Sequence, residues 1–162
     1  MIAFPSFARI TLDEVATAEA DTLADIHGQA FAHTWSGEDF ATLLAQRGTF
    51  ALAVRREGIF GTRRMVGFVL VRVAADEAEI LTIAVRRDAR GKGHGRKLME
   101  EALRRLYRDR IATCFLEVNR SNAAAVGLYR SLGFVVAGER QRYYSEATSG
   151  DTSALVMRLQ LR

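Results

Sequence analysis

The sequence predicts a mixed α/β fold, in which helices cover both faces of a central sheet. Three observations support this prediction. Short runs of apolar and β-branched residues alternate with segments whose apolar residues recur at helical spacing. The run from Ile80 to Val85 is almost continuously apolar, which is typical of a central strand covered on both faces. It leads through a glycine-rich stretch into an amphipathic helix, so strands and helices are interleaved along one chain.

The first half of the chain predicts two helices and a β-meander. Phe7 to Leu12 alternates as a strand, and apolar residues recur at helical spacing from Asp13 to Phe31. Ser36 and Asp39 form a capping-box pattern for a second helix, which Gly48 ends. Three strands should follow, the first two as an antiparallel hairpin: around Phe50 to Val54, Met65 to Val73, and Ile80 to Val85.

The second half predicts two more helices and three more strands. One helix begins near Gly95 and carries an apolar stripe from Leu98 to Leu106. Another begins at Ser121 or Asn122, and Gly133 should stop it as a left-handed C-terminal cap. That second helix is short and covers Ala123 to Leu132. Strands are expected at Ala112 to Val118 and Ala154 to Leu161, and another strand starts at Phe134 to Val136, before a loop around Ser145 to Asp151.

Length and composition indicate one ordinary globular domain. The chain has 162 residues, of which 49% are hydrophobic and 26% charged, so we expect a single domain spanning residues 1–162. The N-terminus lacks a signal-peptide pattern, and no apolar run approaches the roughly 20 residues that cross a membrane. A cytoplasmic protein without a membrane partner is therefore expected. The single cysteine, Cys114, excludes an internal disulfide and is predicted to be a buried strand residue without a redox role.

The net charge of +4 is concentrated in two basic stretches, Arg86 to Lys97 and Arg104 to Arg110. An anionic cofactor explains such a local excess, so no nucleic-acid partner is expected. A small basic nucleic-acid-binding domain stays open as an alternative, although no sequence signature supports it.

The stretch from Arg90 to Arg96 predicts an anion site. Glycines at 91, 93 and 95 let the backbone turn sharply and approach a ligand closely, and the first amides of the following helix lack partners. The spacing does not fit a nucleotide P-loop, because counting from Gly91 places Arg96 where that motif needs glycine and Leu98 where it needs serine or threonine. The dinucleotide fingerprint also fails, because Leu98 stands three residues after Gly95, where a third glycine is required. A basic glycine-rich turn without a ligand is the alternative.

The pattern Arg90-x-x-Gly93-x-Gly95 resembles the acyl-CoA pyrophosphate loop of the GNAT superfamily of N-acetyltransferases. Three further stretches extend the resemblance toward its RimI-type ribosomal-protein-alanine N-acetyltransferases: Phe115 to Asn122, Ala123 to Tyr129, and Arg130 to Phe134. The resemblance implies a mostly antiparallel central sheet of about six or seven strands. It also implies acetyl-CoA as co-substrate, no metal, and a protein or peptide N-terminus as acceptor, possibly that of a ribosomal protein. We expect a monomer or a weak dimer.

The same resemblance implies roles for individual residues. Glu117 would be the general base and Tyr129 the general acid, in a direct transfer without an acyl-enzyme. The residues implied in cofactor binding are Ile83, Ala84, Val85, Arg90, Gly91, Lys92, Gly93, His94, Gly95, Arg96 and Asn122. Those implied in substrate binding are Trp35, Tyr143 and Tyr144.

Several alternatives remain open from the residues themselves. Glu117 can equally be a solvent-facing strand residue, and Tyr129 a core aromatic residue with a satisfied hydroxyl. His27 is expected to be structural, and His94 to act through its backbone N–H. The acceptor can instead be lysine, a polyamine or another small amine. A non-catalytic CoA-binding sensor would keep the loop without the chemistry.

Overall fold

The computed structural model describes residues 8–141 and 153–162. Phe7, Tyr143, Tyr144 and the predicted loop at Ser145 to Asp151 lie outside the described residues. Seven strands and four α-helices occur in the described part of the chain. The strands are β1 (Arg9–Glu14), β2 (Thr49–Glu57), β3 (Arg63–Ala74), β4 (Glu77–Val85), β5 (Thr113–Asn119), β6 (Val135–Gln141) and β7 (Ser153–Gln160). The helices are α1 (Ala20–Ala30), α2 (Gly37–Ala45), α3 (His94–Arg108) and α4 (Ala123–Ser131), with short 3₁₀ turns at Thr17–Glu19 and Arg87–Ala89.

The strands form one mixed sheet in the order β1-β2-β3-β4-β5-β7-β6. β1 pairs with β2 in antiparallel fashion, and β7 pairs in the same way with both β5 and β6. β4 and β5 are parallel, with a register that runs from Glu77 opposite Thr113 to Ile80 opposite Leu116. The prediction of a mixed, mostly antiparallel sheet of about seven strands is confirmed.

β4 differs in one respect from the sequence prediction. Its burial alternates, with Ala78, Ile80, Thr82 and Ala84 buried, while the residues between them from Glu79 to Val85 are only half-buried. The expectation of a strand fully covered on both faces was wrong, because the odd-numbered side chains keep partial exposure. β4 therefore presents a half-exposed apolar face at Leu81, Ile83 and Val85.

The described residues divide into two compact units. The first covers 8–70 and 82–102, and the second covers 71–81, 103–141 and 153–162. Each has its own fully buried side chains, worth about 1.5–3 kcal/mol apiece by transfer. In the first these include Leu23, Ile26, Phe40, Phe68 and Leu98, and in the second Leu106, Cys114, Phe134 and Met157. The single domain over residues 1–162 stays a prediction.

The predicted helix from Asp13 to Phe31 was wrong in its first residues. Asp13 and Glu14 continue β1, opposite Ala53 and Leu52 of β2. The Asp13 carboxylate is 2.7 Å from Nε of Arg55, an ion pair that joins β1 to β2. Tertiary pairing thus overrides local helical spacing, and α1 begins at Ala20.

Two predicted helix ends are confirmed by their hydrogen bonds. The Asp39 amide donates to Oγ of Ser36 (3.1 Å), and the Ser36 amide donates to Oδ2 of Asp39 (2.9 Å), which completes the capping box of α2. Gly133 has φ = 100°, and the Phe134 amide donates to the Tyr129 carbonyl (3.0 Å) as in a Schellman cap. Gly48 does not end α2, which stops at Ala45; with φ = 85° it turns the chain into β2.

A search of the described helices finds none long and apolar enough to cross a membrane.

Candidate active site

The loop before α3 has the backbone geometry of an anion cradle. Gly91 and Gly93 have φ of 76° and 80°, a left-handed conformation that costs an L-residue about 1–2 kcal/mol. A Cβ built at either glycine would meet nothing within 4 Å, so open space borders the backbone here. The Lys97 amide donates to the Gly93 carbonyl (3.2 Å) as the first bond of α3. The amides of residues 94–96 are therefore the first-turn donors that a bound anion can accept from.

Gly95 has a different role from the other two glycines. It lies in the first turn of α3 and is not among the glycines with positive φ. The sharp turn therefore depends on Gly91 and Gly93 and not on Gly95.

Arg90 is held against the protein by two carbonyl groups. Its Nη2 donates to the Gln29 carbonyl (3.0 Å), and its Nε donates to the Val85 carbonyl (3.3 Å). The side chain of Gln29 in turn accepts a hydrogen bond from the Arg87 amide (2.9 Å). Sequence reasoning did not single out Gln29, since the contact joins residues about sixty positions apart. Arg90 therefore fixes the loop to α1 and to the end of β4.

The remaining cations of the loop are more exposed. Arg96 is 3.7 Å from Glu100 one turn along α3, with both side chains exposed, and such surface pairs contribute about 0.3–0.5 kcal/mol. Lys92 is exposed at the tip of the loop. The exposed side chain of Lys92 can therefore move toward a ligand at little cost.

His94 differs from its neighbours because it is buried, with an exposed fraction of 6%. Burial lowers the pKa of His94, and the charges of Lys97, Lys92 and Arg56 lower it further. The imidazole is therefore neutral at pH 7. Its Nδ1 is buried without a hydrogen-bond partner in the described part of the chain.

Close backbone packing fixes the end of β4 next to the loop. A Cβ at Gly67 of β3 would lie 3.0 Å from the Ala84 carbonyl oxygen and 3.2 Å from Cγ2 of Val85. Only glycine allows this approach without displacing backbone. The position of Ile83, Ala84 and Val85 thus depends on a residue that the sequence analysis did not consider.

Glu117 lies on β5 in the second unit and is half-buried. Its Oε1 is 3.3 Å from Nε of Arg140 on β6, across the intervening strand β7. Arg140 was not predicted as a site residue, and no local signal marks it. Because the Arg140 side chain is largely exposed, a substrate ammonium group could take its place beside the Glu117 carboxylate.

Cys114 occupies the opposite face of β5 from Glu117, as predicted. Cys114, Leu116 and Val118 are buried, whereas Phe115 and Glu117 are half-buried. Burial raises the pKa of the Cys114 thiol to about 12, with a contribution from the nearby charge of Glu79. The thiol is therefore not ionised at neutral pH, and a thiol in that state is a poor nucleophile.

Tyr129 lies on α4 with an exposed fraction of 6%. Its ring packs edge-on against Phe134, with centroids 6.0 Å apart. Desolvation raises the pKa of Tyr129 to about 12, so its hydroxyl keeps the proton at neutral pH. Tyr129 can donate a hydrogen bond but cannot act as a base under these conditions.

Asn122 has a structural role that is visible in the fold. Its Oδ1 accepts a hydrogen bond from the Ala125 amide (3.2 Å), which caps the N-terminus of α4. Asn119 accepts hydrogen bonds from the amide and hydroxyl of Ser121, at 2.9 and 2.7 Å. The turn between β5 and α4 is thereby fixed by side chains.

Trp35 belongs to an aromatic cluster in the first unit. Its ring stacks on His27 at 4.9 Å, and His27 also stacks on Phe31 at 4.5 Å. The Trp35 amide donates to Nδ1 of His27 (3.4 Å). Burial lowers the pKa of His27, which keeps Nδ1 available as an acceptor. The structure thus gives His27 the structural contacts expected of it.

The structure gathers the predicted residues in two groups. The loop at 90–96, the strand end at 83–85 and Trp35 belong to the first unit. Glu117, Asn122 and Tyr129 belong to the second unit. Tyr143 and Tyr144 lie outside the described residues, and within the described ranges no cluster of three His, Cys, Asp or Glu side chains could hold a metal ion.

Comparison with known proteins gives a consistent family relationship. Residues 20–134 match the acetyltransferase (GNAT) family. The chain is 35% identical over 149 residues to the ribosomal protein bS18-alanine N-acetyltransferase of Escherichia coli K12, with 92% of this chain and 96% of that protein covered. It is 33% identical over 141 residues to N-alpha-acetyltransferase RimI of Mycobacterium tuberculosis, with 83% and 84% covered. The crystal structure of the ribosomal-protein-S18-alanine N-acetyltransferase from Escherichia coli superposes with a TM-score of 0.84 at 33% identity, with 94% of each chain covered.

Proposed function

The chain belongs to the acetyltransferase (GNAT) family, and from that premise we propose that it transfers the acetyl group of acetyl-CoA to the α-amine of a protein N-terminus. The acceptor we propose is a ribosomal protein. Glu117 acts as general base and Tyr129 as general acid, and the amine attacks the thioester directly.

The observation that carries this proposal is the length of the match to an N-terminal acetyltransferase. The relative that acts on the alanine of ribosomal protein bS18 is matched over 96% of its length. A second relative, named as an N-alpha-acetyltransferase, is matched over 84%. The first of these matches covers 92% of this chain, and similarity over that length is more informative than the loop motif alone.

The cofactor role rests on the fit between the loop and a diphosphate. The open space beside Gly91 and Gly93 and the first-turn amides of α3 suit an anion that accepts several backbone hydrogen bonds. Lys92 and Arg96 supply charge. The half-exposed apolar face of Ile83 and Val85 suits the pantetheine arm, and Asn122 would contact the same arm through the side-chain amide that its capping bond leaves over.

The acceptor must lose a proton before it can attack, and Glu117 is proposed to take it. An α-amine has a pKa near 8 against about 10.4 for lysine, so deprotonation at neutral pH costs about 3 kcal/mol less. The ammonium group would replace the guanidinium of Arg140, whose Nε is 3.3 Å from Oε1 of Glu117 in the present structure. A carboxylate directly, or through a water molecule, then suffices as base.

Tyr129 is proposed to stabilise the departing thiolate. A thiol has a pKa near 8.5, so complete transfer of a proton from a tyrosine of pKa about 12 would be roughly 5 kcal/mol uphill. Tyr129 therefore acts as general acid by partial proton donation, through a hydrogen bond to sulfur as the carbon–sulfur bond breaks. The CoA thiolate leaves and takes up its proton from solvent. Acetyl-CoA supplies the activated acetyl group when bound.

Direct transfer is favoured because no thiolate is available as an intermediate nucleophile on β5. Cys114 is fully buried, on the face opposite Glu117, with its pKa raised to about 12 by burial. Trp35, Tyr143 and Tyr144 are proposed to border the peptide, by resemblance to the family.

The test is an acetylation assay with matched peptides. Peptides that begin with alanine and contain one internal lysine are offered with a free or a blocked α-amine, together with acetyl-CoA, and the modified position is found by mass spectrometry. The proposal expects acetylation of the free α-amine only. Acetylation of lysine alone would assign a different acceptor, and binding of CoA without transfer to any amine would favour a sensor.

A further inference from the structure

The first unit contains a cavity beside the cofactor loop. A cavity of about 320 Å³ is lined by residues of β1, β2, β3 and the start of α3. Ile10 and Val66 form an apolar wall, and Arg56, Lys92 and Lys97 bring cations to it. Small-molecule sites typically begin at about 300 Å³ and combine apolar walls with a few polar groups.

The charge of this cavity is positive and largely uncompensated. Arg64 is 3.1 Å from Asp88, and both line the cavity. Arg56, Lys92 and Lys97 form no ion pair with any residue that the structure describes. Three cations converging on one concave surface repel one another, and an anionic guest would relieve that repulsion.

His94 is an independent sign of a ligand in the same cavity. It lines the cavity, is 6% exposed, and has a buried Nδ1 without a hydrogen-bond partner among residues 8–141 and 153–162. Leaving a buried polar group unpaired is unfavourable, and native proteins rarely do so without a reason. Nδ1 itself is covered in the present structure, so a guest with hydrogen-bonding oxygens would supply the partner once the imidazole turns toward the cavity.

We propose that this cavity binds a phosphate monoester, with the phosphate among Arg56, Lys92 and Lys97 and the organic group against Ile10 and Val66. A dianionic phosphate carries more charge than a carboxylate and offers three acceptor oxygens, which suits a cluster of three unpaired cations. The inference goes beyond acetyl transfer, and depends on the proposed function only in that Lys92 and His94 also belong to the cofactor loop. The monoester can be the 3′-phosphate of CoA or a separate small molecule.

Binding is tested first on the protein without cofactor. Inorganic phosphate is titrated at pH 7.5 while the imidazole ¹⁵N signals are recorded by NMR, and H94Q identifies the His94 signals among the three histidines. Saturable shifts of His94 are expected. R56Q should weaken phosphate binding about tenfold, as expected for loss of a charge-assisted hydrogen bond.

The matched control is R9Q. Arg9 precedes Ile10 on β1, so its side chain points to the other face of the strand while the change in charge is the same. R9Q should bind phosphate like the wild type. Absence of saturable binding, or equal affinities in R56Q and R9Q, would overturn the proposal.

Two cofactor forms then distinguish the sources of the phosphate. The titration is repeated with protein saturated with CoA or with 3′-dephospho-CoA, which lacks only the monoester. If CoA blocks phosphate binding and 3′-dephospho-CoA does not, the guest is the 3′-phosphate of CoA. If neither cofactor blocks phosphate binding, the guest is a separate ligand. Both results support a phosphate site in the cavity. Blocking by both would mean that phosphate had bound in the diphosphate cradle, and would refute it. If neither cofactor binds, the proposed function fails. The comparison of R56Q with R9Q still decides whether the cavity binds phosphate.

Discussion

Glu117 carries the proton-transfer step of the proposed reaction, and its side chain can be changed without altering the packing of β5. E117Q keeps the shape and removes the base, so we expect kcat to fall by about 10²–10⁴-fold. The dissociation constant for acetyl-CoA should stay unchanged, because the loop that binds it is intact. Steady-state kinetics by thiol release, with calorimetry for cofactor binding, measure both quantities.

E139Q is the matched control for this experiment. Glu139 lies on β6, where its carboxylate is 2.8 Å from Arg120 in an exposed ion pair. Its loss should cost no more than about 1 kcal/mol of stability and leave kcat as in the wild type. If E117Q retained nearly full kcat, Glu117 would be the solvent-facing strand residue of the alternative interpretation.

The raised pKa of Tyr129 predicts how the reaction rate depends on pH. Its pKa is raised to about 12 by burial, so the hydroxyl keeps its proton at every pH from 6 to 10. Y129F should lower kcat by about 10²-fold while the shape of the pH–rate profile up to pH 10 stays the same. A fall in wild-type rate near pH 10 that disappears in Y129F would contradict the assignment. Because phenylalanine keeps the ring contact with Phe134, the free energy of unfolding should change little.

Arg140 shows what residue patterns cannot reveal. Its guanidinium reaches Glu117 because β7 lies between β5 and β6 in the sheet. That strand order is set by tertiary pairing, and no spacing in the sequence encodes it. Glu117, Tyr129 and the glycine loop could be singled out because each lies in a local motif, whereas the partner of Glu117 could not.

The loop before α3 depends on backbone conformation more than on side chains. G93A would force alanine into φ = 80° at the place where the proposed diphosphate approaches. We expect a loss of stability of about 1–2 kcal/mol and, in addition, an increase of at least tenfold in the dissociation constant for acetyl-CoA. Thermal unfolding and calorimetric titration separate the two effects.

G61A is the matched control, because it introduces the same backbone strain at a glycine away from the proposed cofactor loop. Gly61 lies between β2 and β3 with φ = 74°, and a Cβ there also meets nothing within 4 Å. Its stability should fall as in G93A, with the affinity for acetyl-CoA unchanged. Equal affinities in the two variants would show that Gly93 serves only the turn.

Helices and strands were predictable to the extent that their signals are local. The capping box at Ser36 and the left-handed cap at Gly133 involve neighbouring residues, and both occur as predicted. Asp13 and Glu14 were misassigned to a helix because the pairing of β1 with β2 and the bond from Asp13 to Arg55 are long-range. β6 begins at Val135, within the predicted start at Phe134 to Val136, and its pairing with β7 carries it to Gln141.

The distribution of charge over the whole chain likewise has a part that the sequence shows and a part that depends on long-range contacts. In the sequence, the net charge of +4 is concentrated partly in the basic stretch around the loop. In the structure Arg86 donates hydrogen bonds to Asp25 and to the Met65 carbonyl, and Arg90 donates one to the Gln29 carbonyl. Lys92 and Lys97 form no ion pair with the described residues, so they carry the charge that remains for anions.

Acid stability provides a test that involves the folded molecule as a whole. Burial lowers the pKa of both His27 and His94 below the unfolded value of about 6.5. The unfolded chain then binds more protons, so stability is fully present above about pH 6.5 and falls as the pH drops through the folded pKa values. The lowered pKa values of Glu19, paired with Arg55, and Asp39, bonded to Ser36, act only at lower pH. Urea unfolding between pH 5 and 7.5 should therefore show a decline in stability that is shallower in H27Q than in the wild type. Equal slopes in the wild type and H27Q would show that His27 does not resist protonation in the folded protein.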